Sequence, residues 1–246
     1  MLWLLATAIV GSTRGFSIEA HLTTCAALVE PPQLQFEQPL EDVEAQYGDS
    51  ASLFCSVYGA PQATIKWWHR GRAVASYPAP SFESALHTRR IASGLIETKY
   101  YIPCVNRKTL GEYTCEAVSP CGEVISSTAF VSLSNTARAK SSCNSTNGAL
   151  APTIAVSTVS RLELAGTPVQ LMCRASGVPK PKVVWQRIAD DDSLEDIDAE
   201  SNMVLSNGDL LVVADPWVAT ESYRCTARNP SGTDSADSTV VFVDEN

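Results

Sequence analysis

Short stretches of alternating apolar and polar residues follow one another along the chain, and turn residues separate them. Residues 50–55 alternate, and the stretch 64–68 places Ile65 and Trp67 on one face. The same alternation returns in the second half of the chain, at residues 169–173. A period of two residues is typical of strands with one buried face. The pattern therefore predicts an all-β protein.

Further strands are predicted from the same alternation, at Gln33–Phe36, Glu97–Val105, Thr114–Val118, Glu123–Leu133 and Asp209–Val213. In the second of these strands, Tyr101 is predicted to point outward, whereas Tyr100 and Ile102 point inward. Residues 73–95 are poorly patterned and are predicted to supply short edge strands.

One stretch of the chain occurs twice without a gap. Cys55 is followed by a Gly, a Pro and Trp67, and Cys173 is followed at the same spacings by a Gly, a Pro and Trp185. Each copy is followed by Tyr-x-Cys, at Tyr113 to Cys115 and at Tyr223 to Cys225. This series is the signature of an immunoglobulin sandwich, in which the Cys–Cys bond crosses the core against the Trp and the Tyr fixes a corner.

The repeat predicts two tandem immunoglobulin-like β-sandwiches with core disulfides Cys55–Cys115 and Cys173–Cys225. It also chooses Trp67 as the core residue, because Trp185 has the same offset from its Cys. Trp68 is then predicted to point outward, either as one of the single exposed aromatic residues common on protein surfaces or as part of a binding face.

The predicted organisation has five parts: a signal peptide (1–15), an N-terminal extension (16–30), the first domain (31–134), a linker (135–152) and the second domain (153–246). The linker is long, so relative motion of the domains is the default expectation. It contains a glycosylation sequon at Asn144, which suits an exposed loop of a secreted protein.

Four further cysteines belong to the first domain or its flanks. In this sandwich Cys25 precedes the first strand and Cys121 lies in the final hairpin turn, so both are near one end. Cys104 and Cys143 are near the opposite end. Because a disulfide spans Cα atoms only about 4.4–6.8 Å apart, the topology predicts the bonds Cys25–Cys121 and Cys104–Cys143.

Charge and cysteine content narrow the class of protein. A net charge of −9 argues against nucleic acid and anionic membrane surfaces as partners. The cluster His87, Arg89 and Arg90 is interpreted as a solvated strand edge, with anion binding as the alternative. The acidic stretch 190–200 is interpreted as a solvated loop, with steering of a basic ligand as the alternative.

Eight cysteines, an even number, suit an oxidising compartment. The short apolar run 2–10 followed by small residues predicts a cleaved secretory signal, and no later run is long enough to span a membrane. The protein is therefore expected to be secreted and extracellular.

The sequence offers little for catalysis or for a cofactor. Phosphate-binding glycine loops, Cys-x-x-Cys pairs and a Ser–His arrangement are absent from it. Zinc is a weak alternative, because the imidazole ligands are limited to three histidines. A non-enzymatic binding protein without cofactor or metal is therefore predicted.

The second domain carries a family resemblance over about residues 205–240. The residues that carry it are Asn207 to Leu211, Trp217, Tyr223 to Asn229 and Gly232 to Asp237. They resemble the second domain of small secreted two-Ig proteins, a family that includes the nematode zwei-Ig-domain proteins and an insect insulin-binding relative. The run from Gly177 to Trp185 is similar to I-set immunoglobulin domains generally.

The chain departs from the family pattern before the two corner tyrosines. The usual acidic residue and Gly are replaced by Ala219, Thr220 and Glu221 in the second domain. In the first domain Gly111 is present, but Thr109 stands in place of the acid.

The resemblance implies two roles. Nematode members act outside neurons and hold axons and cell bodies in position after development, which implies a neuronal receptor or adhesion molecule as partner. The insect member sequesters insulin-like peptides. The neuronal role is preferred, because the extra disulfides and long middle region of the first domain depart from the insect protein. A soluble decoy for an adhesion receptor and a structural matrix component stay open.

Overall fold

The computed structural model describes residues 25–82, 88–134, 143, 148–198, 202–213 and 219–244. The strands of the first half are β1 (Gln33–Gln38), β2 (Val43–Ala45), β3 (Ala51–Ala60), β4 (Thr64–His69), β5 (Arg72–Tyr77), β6 (Ser93–Ile102), β7 (Gly111–Val118) and β8 (Val124–Leu133). Those of the second half are β9 (Leu150–Leu164), β10 (Val169–Leu171), β11 (Cys173–Val178), β12 (Lys182–Ile188), β13 (Leu194–Asp196), β14 (Asn202–Val204), β15 (Leu210–Val212), β16 (Thr220–Asn229) and β17 (Gly232–Val243).

The first domain is a sandwich of two sheets. Strands β1, β3 and β6 form one side, and the five-stranded sheet β2-β8-β7-β4-β5 forms the other. Alternate residues of β3 and β7 are buried, so Cys55 and Cys115 face each other across the core with Trp67 beside them. The period-two pattern of the sequence thus determines which side chains enter this core.

The second domain repeats the plan, with strands of only three residues in its smaller sheet. Strands β10, β15 and β14 form one sheet, and β17, β16, β12 and β13 lie in the other. Trp185, Tyr223 and Cys225 are buried between them. The predicted turn at Asn207-Gly208 connects β14 and β15, where Gly208 has a φ of +97°. Part of the acidic stretch, Leu194–Asp196, is not loop but the edge strand β13.

Strand β9 joins the two domains into one sheet of nine strands. One edge of β9 pairs antiparallel with β6 of the first domain, and the other edge pairs first with β11 and then with β17. In the first domain, β9 therefore stands where a fourth strand of the β1-β3-β6 sheet would lie. The prediction of short edge strands within residues 73–95 is correct for β5 and wrong beside β6. On the edge of β6 that faces away from β3, the ladder partner is β9 of the second domain instead.

The hydrophobic core of the first domain likewise includes residues from the second half of the chain. Val156 and Met172 belong to the second domain by sequence, yet both are fully buried in the apolar cluster of the first domain. The predicted linker therefore ends earlier than residue 152, because β9 begins at Leu150. The expectation of relative domain motion assumes a free joint between the domains, and this assumption is wrong. The domains instead meet through a hydrogen-bonded ladder and a shared core.

Two further details differ from prediction. Trp68, which is predicted to point outward, is half-buried rather than exposed, because β4 lies between β7 and β5 and neighbouring strands flank it on both sides. Arg90 is 1% exposed and is not on a solvated strand edge. Its backbone bonds to the N-terminal extension, donating to Ala27 O at 3.0 Å and accepting from Val29 N at 2.9 Å. Arg89 is exposed, and His87 lies outside the described residues.

Candidate functional site

The four disulfides stabilise the fold rather than form a reactive centre. The structure joins Cys55 to Cys115 and Cys173 to Cys225 across the two cores. It also joins Cys25 to Cys121 and Cys104 to Cys143, each with Cα atoms 5.8 Å apart, which are the pairs that the topology predicts. Among the residues that the structure describes, no cysteine is free.

The predicted aromatic core residues are buried. Trp67 and Trp185 are 0% and 2% exposed, and Tyr113 and Tyr223 are 2% and 1% exposed. Trp185 Nε1 donates to Gly208 O at 2.8 Å. These side chains specify the sandwiches and do not offer a surface to a ligand. The sequon residue Asn144 lies outside the described residues.

The two tyrosine corners differ in their hydrogen bonds. Tyr113 Oη donates to Thr109 O at 2.9 Å, so the residue that replaces the family's acid still serves as acceptor through its backbone. Tyr223 Oη instead donates to the carboxylate Oε2 of Glu221 at 2.9 Å. Burial, with the added charge of Glu221, raises the pKa of Tyr223 well above its usual value.

A polar relay ties the core of the first domain to β9. Trp67 Nε1 donates to Thr98 Oγ1 at 2.9 Å, and Thr98 Oγ1 donates to Ala155 O at 2.9 Å. All three residues are buried. Because a buried indole N–H needs an acceptor, this relay fixes the register in which β6 and β9 meet.

A buried acid provides a second connection between the domains. Glu163 of β9 is 1% exposed and accepts hydrogen bonds from Ile91 N at 2.7 Å and Ala92 N at 3.0 Å. Arg161 pairs with the same carboxylate and donates to Ser93 O at 3.2 Å. The chain of the first domain is thereby held against the second immediately before β6.

Gly94 allows the close approach of β6 and β9. A Cβ at this position would lie 2.7 Å from Arg161 Cδ, 2.7 Å from Gln62 Nε2 and 2.8 Å from Ser160 O. A backbone oxygen cannot move aside as a flexible side chain can, so a larger residue would push the two strands apart.

A third connection surrounds Asp209, which is fully buried. Its carboxylate accepts from Arg174 Nη2 and Gln170 Nε2, each at 2.8 Å. The same two residues extend to the first domain, where Arg174 donates to Pro78 O at 2.7 Å and Gln170 accepts from Phe82 N at 3.0 Å. Sequence reasoning missed these polar connections, because each appears in the sequence as one polar position in an ordinary strand.

The domain junction creates a groove on the surface of the molecule. Three adjoining hollows of about 190, 520 and 350 Å³ meet at Lys99. The junction groove is lined from the first domain by Phe54, Lys99 and Tyr101 and from the second by Leu150, Ile154 and Asp234.

Exposed aromatic side chains flank a charged centre in this groove. Phe54 is 52% exposed and Tyr101 is 38% exposed. Lys99 Nζ lies 5.9 Å from the Phe54 ring centroid and 3.5 Å from Asp234 Oδ2. Asp234 also accepts from Ile154 N at 2.8 Å, which orients its carboxylate. Aromatic area around a fixed ion pair is suited to binding a protein surface.

The part of the chain that the structure describes holds no group of three or more His, Cys, Asp or Glu side chains that could bind a metal ion. Within those same residues, no helix is long and apolar enough to cross a membrane.

Comparison with known proteins agrees with this architecture. The immunoglobulin I-set domain family matches residues 34–132 and 154–242, and immunoglobulin domains of this kind bind other extracellular proteins. The solved structure of neural ectodermal development factor IMP-L2 superposes with a TM-score of 0.65 at 24% identity, covering 87% of this chain and 96% of that one. This likeness shows the two-domain fold.

Sequence relatives define the family. Zwei Ig domain protein zig-3 of Caenorhabditis elegans is 32% identical over 215 residues, covering 86% of this chain and 79% of the relative. Zwei Ig domain protein zig-4 of the same organism is 29% identical over 208 residues, covering 83% of this chain and 78% of the relative. Neural/ectodermal development factor IMP-L2 of Drosophila melanogaster is 34% identical over 96 residues, 39% of this chain and 35% of that protein. With two I-set domains and zwei-Ig relatives that match across both, the chain belongs to the zwei-Ig family of immunoglobulin proteins.

Proposed function

We propose that this chain is a secreted, non-enzymatic binding protein that acts in the nervous system and holds axons or neuronal cell bodies in position after development. Its ligand is a neuronal receptor or adhesion molecule, which it binds in the junction groove. The observation that carries the proposal is the pair of exposed aromatic residues, Phe54 and Tyr101, beside Lys99 at a junction fixed by both domains.

The chemistry of the chain supports an extracellular setting. Four disulfides, two of them outside the core positions, are typical of proteins in an oxidising environment. The apolar start of the sequence supports export by the secretory route.

Preorganisation favours the groove over the outer sheet faces. A groove that lies between two loosely tethered domains must be ordered when a ligand binds, and that ordering weakens affinity. Here the β6–β9 ladder and the buried carboxylates of Glu163 and Asp209 fix the two walls beforehand. The aromatic walls therefore meet a ligand without an ordering cost.

The extent of similarity favours the neuronal role. Nematode zwei-Ig relatives align in sequence with both domains of this chain, whereas the Drosophila factor aligns in sequence over 39% of it. The name of the Drosophila protein, a neural/ectodermal development factor, is also consistent with action in the nervous system.

Binding to neuronal surface proteins tests the proposal. The whole secreted protein is presented to an array of neuronal ectodomains, and each interaction is measured again with the double variant Phe54→Ala/Tyr101→Ala. Phe130→Ala is the matched control, because Phe130 is 51% exposed on β8 of the opposite sheet. We expect the groove variant to weaken binding by about tenfold or more and the control to leave it unchanged. Equal binding by all three proteins would contradict the assignment of the groove.

Sequestration of an insulin-like peptide is the second candidate. Similarity to the Drosophila factor at 34% identity within one part of the chain, together with the resemblance of residues 205–240 to the insulin-binding relative, favours it. Titration with a labelled insulin-like peptide separates the two candidates. Micromolar or tighter binding that depends on Phe54 and Tyr101 would favour sequestration, and absence of binding at that concentration would remove it.

A further inference from the structure

Four exposed cations gather at one end of the first domain, although the whole chain has a net charge of −9. Arg70 and Arg72 lie at the turn between β4 and β5, and Arg107 and Lys108 lie in the loop between β6 and β7. We propose that this basic end is a binding site for a sulfated polysaccharide of the extracellular space. The site is distinct from the junction groove and goes beyond the proposed function.

Backbone contacts hold the two loops together. Arg70 adopts a left-handed conformation with a φ of +49°, and its backbone N–H donates to Glu112 O at 3.0 Å. Its guanidinium Nη2 donates to Arg107 O at 3.4 Å. His69 Nε2 lies 3.1 Å from Leu110 O. The arginines of the turn and the cations of the loop therefore share one edge of the molecule.

The loop that carries Arg107 and Lys108 is itself ordered by local hydrogen bonds. Asn106 Oδ1 accepts from Lys108 N at 2.8 Å, and Asn106 N donates to Thr109 Oγ1 at 2.8 Å. Leu110 N donates back to Asn106 O at 3.1 Å. Such a closed turn orders the backbone that carries the two exposed basic side chains.

None of the four cations forms an ion pair among the described residues, and the neighbouring Glu112 does not pair with Arg70. Two exposed arginines of the second domain behave differently. Arg187 pairs with Glu195 and Arg224 with Asp237, each at 2.7 Å. The positive charges of the basic end are therefore available to bind an external anion.

The number of the charges and their origin in two loops favour a polymer over a small anion. All four side chains are exposed and they come from two loops, and a chain of repeated sulfates can contact cations of both loops at once. The planar guanidinium group binds oxyanions through two parallel hydrogen bonds, and three of the four cations are arginines. Sulfated polysaccharides are the polyanions that the proposed extracellular setting offers.

A titration of the whole protein with a heparin oligosaccharide of defined length tests the proposal. The test variant is Arg107→Gln/Lys108→Gln, which leaves the backbone bonds of Arg70 in place. The matched control is Arg187→Gln/Arg224→Gln, which removes the same number of charges at paired sites. We expect the test variant to bind about tenfold or more weakly, and the slope of log affinity against log salt to fall by roughly two. We expect the control to bind like the wild type.

The proposal would be overturned by no binding of the wild-type protein at physiological salt, by equal weakening in the control variant, or by equal binding of desulfated heparin. Capture of an acidic protein by the basic end without heparin binding would also overturn it. Loss of heparin binding in Arg107→Gln/Lys108→Gln should leave ligand binding at the junction groove intact, so the two proposals fail separately.

Discussion

Thr98 of the first domain donates a hydrogen bond from Oγ1 to the carbonyl oxygen of Ala155 in the second domain, at 2.9 Å. The same hydroxyl accepts from the buried indole of Trp67. One side chain therefore satisfies the tryptophan of an immunoglobulin core and a backbone group of the neighbouring domain. This relationship explains why the two sandwiches meet in one register.

Replacement of Thr98 by Val should destabilise the whole protein. Valine keeps the shape of threonine but removes the hydroxyl, which leaves the buried Trp67 N–H without its acceptor and Ala155 O without its donor. We expect a loss of about 1–3 kcal/mol in the free energy of unfolding, measured by urea denaturation. The control is Thr114→Val, because Thr114 bonds to Thr128 in an exposed pair and should change stability little. A neutral Thr98→Val variant would show that the relay does not contribute.

The carboxylate of Asp209 should matter far more than that of an exposed acid. Its Oδ2 accepts from Gln170, Arg174 and Asn207 at 2.8–2.9 Å. In Asp209→Asn, an NH2 group that cannot accept hydrogen bonds replaces one of the two carboxylate oxygens. Arg174 also loses its countercharge. We expect roughly 3–5 kcal/mol of destabilisation.

The matched control for that variant is Asp237→Asn, which breaks the exposed pair with Arg224. It should cost under about 1 kcal/mol, because exposed pairs contribute little. Urea unfolding of both variants makes the comparison, and similar losses for the two would contradict a special role of Asp209 at the junction.

Gly94→Ala should separate β6 from β9. The added methyl group would contact Ser160 O and Gln62 Nε2 at less than 3 Å, and such overpacking costs about 1–3 kcal/mol. Thermal unfolding measures the effect. Ser126→Thr adds a methyl group at an exposed position of β8 and should leave the melting temperature unchanged. A Gly94→Ala protein as stable as the wild type would mean that the junction is looser than described.

Alkaline pH should weaken the fold through Tyr113. Burial raises the pKa of Tyr113 from 10.0 to about 12, so the folded state favours the neutral phenol. A raised pKa adds stability below the unfolded value, and this stability is lost as pH rises from 10.0 to about 12. We expect the free energy of unfolding to fall less steeply over this range in Tyr113→Phe than in the wild type, as measured by urea denaturation at each pH. Identical slopes would contradict the prediction.

The sequence predicts those features that depend on fixed spacings between residues along the chain. Cys55, Trp67, Tyr113 and Cys115 occupy fixed offsets that recur in the second copy, so the sandwich, its core bond and its corner follow from the repeat. The bonds Cys25–Cys121 and Cys104–Cys143 follow in turn from the topology of that sandwich.

The junction cannot be predicted in the same way. The pattern of apolar and polar residues around Val156 and Met172 does not say which of the two cores an apolar residue enters. It therefore does not reveal that these two residues complete the first domain. Glu163 stands between two leucines, a pattern that predicts an outward residue, although it is buried against the backbone of the other domain. Burial of this kind depends on a partner strand far away in sequence, which local periodicity does not record.

Strands β6 and β9 join the two domains into one structural unit. Native-state amide hydrogen exchange tests this most directly, because each amide reports the opening of its own hydrogen bond. We predict that the amides of β6 directed toward β9 are protected as strongly as those of the core strands β3 and β7. Exchange of these β6 amides orders of magnitude faster, while β3 and β7 stay protected, would contradict the claim.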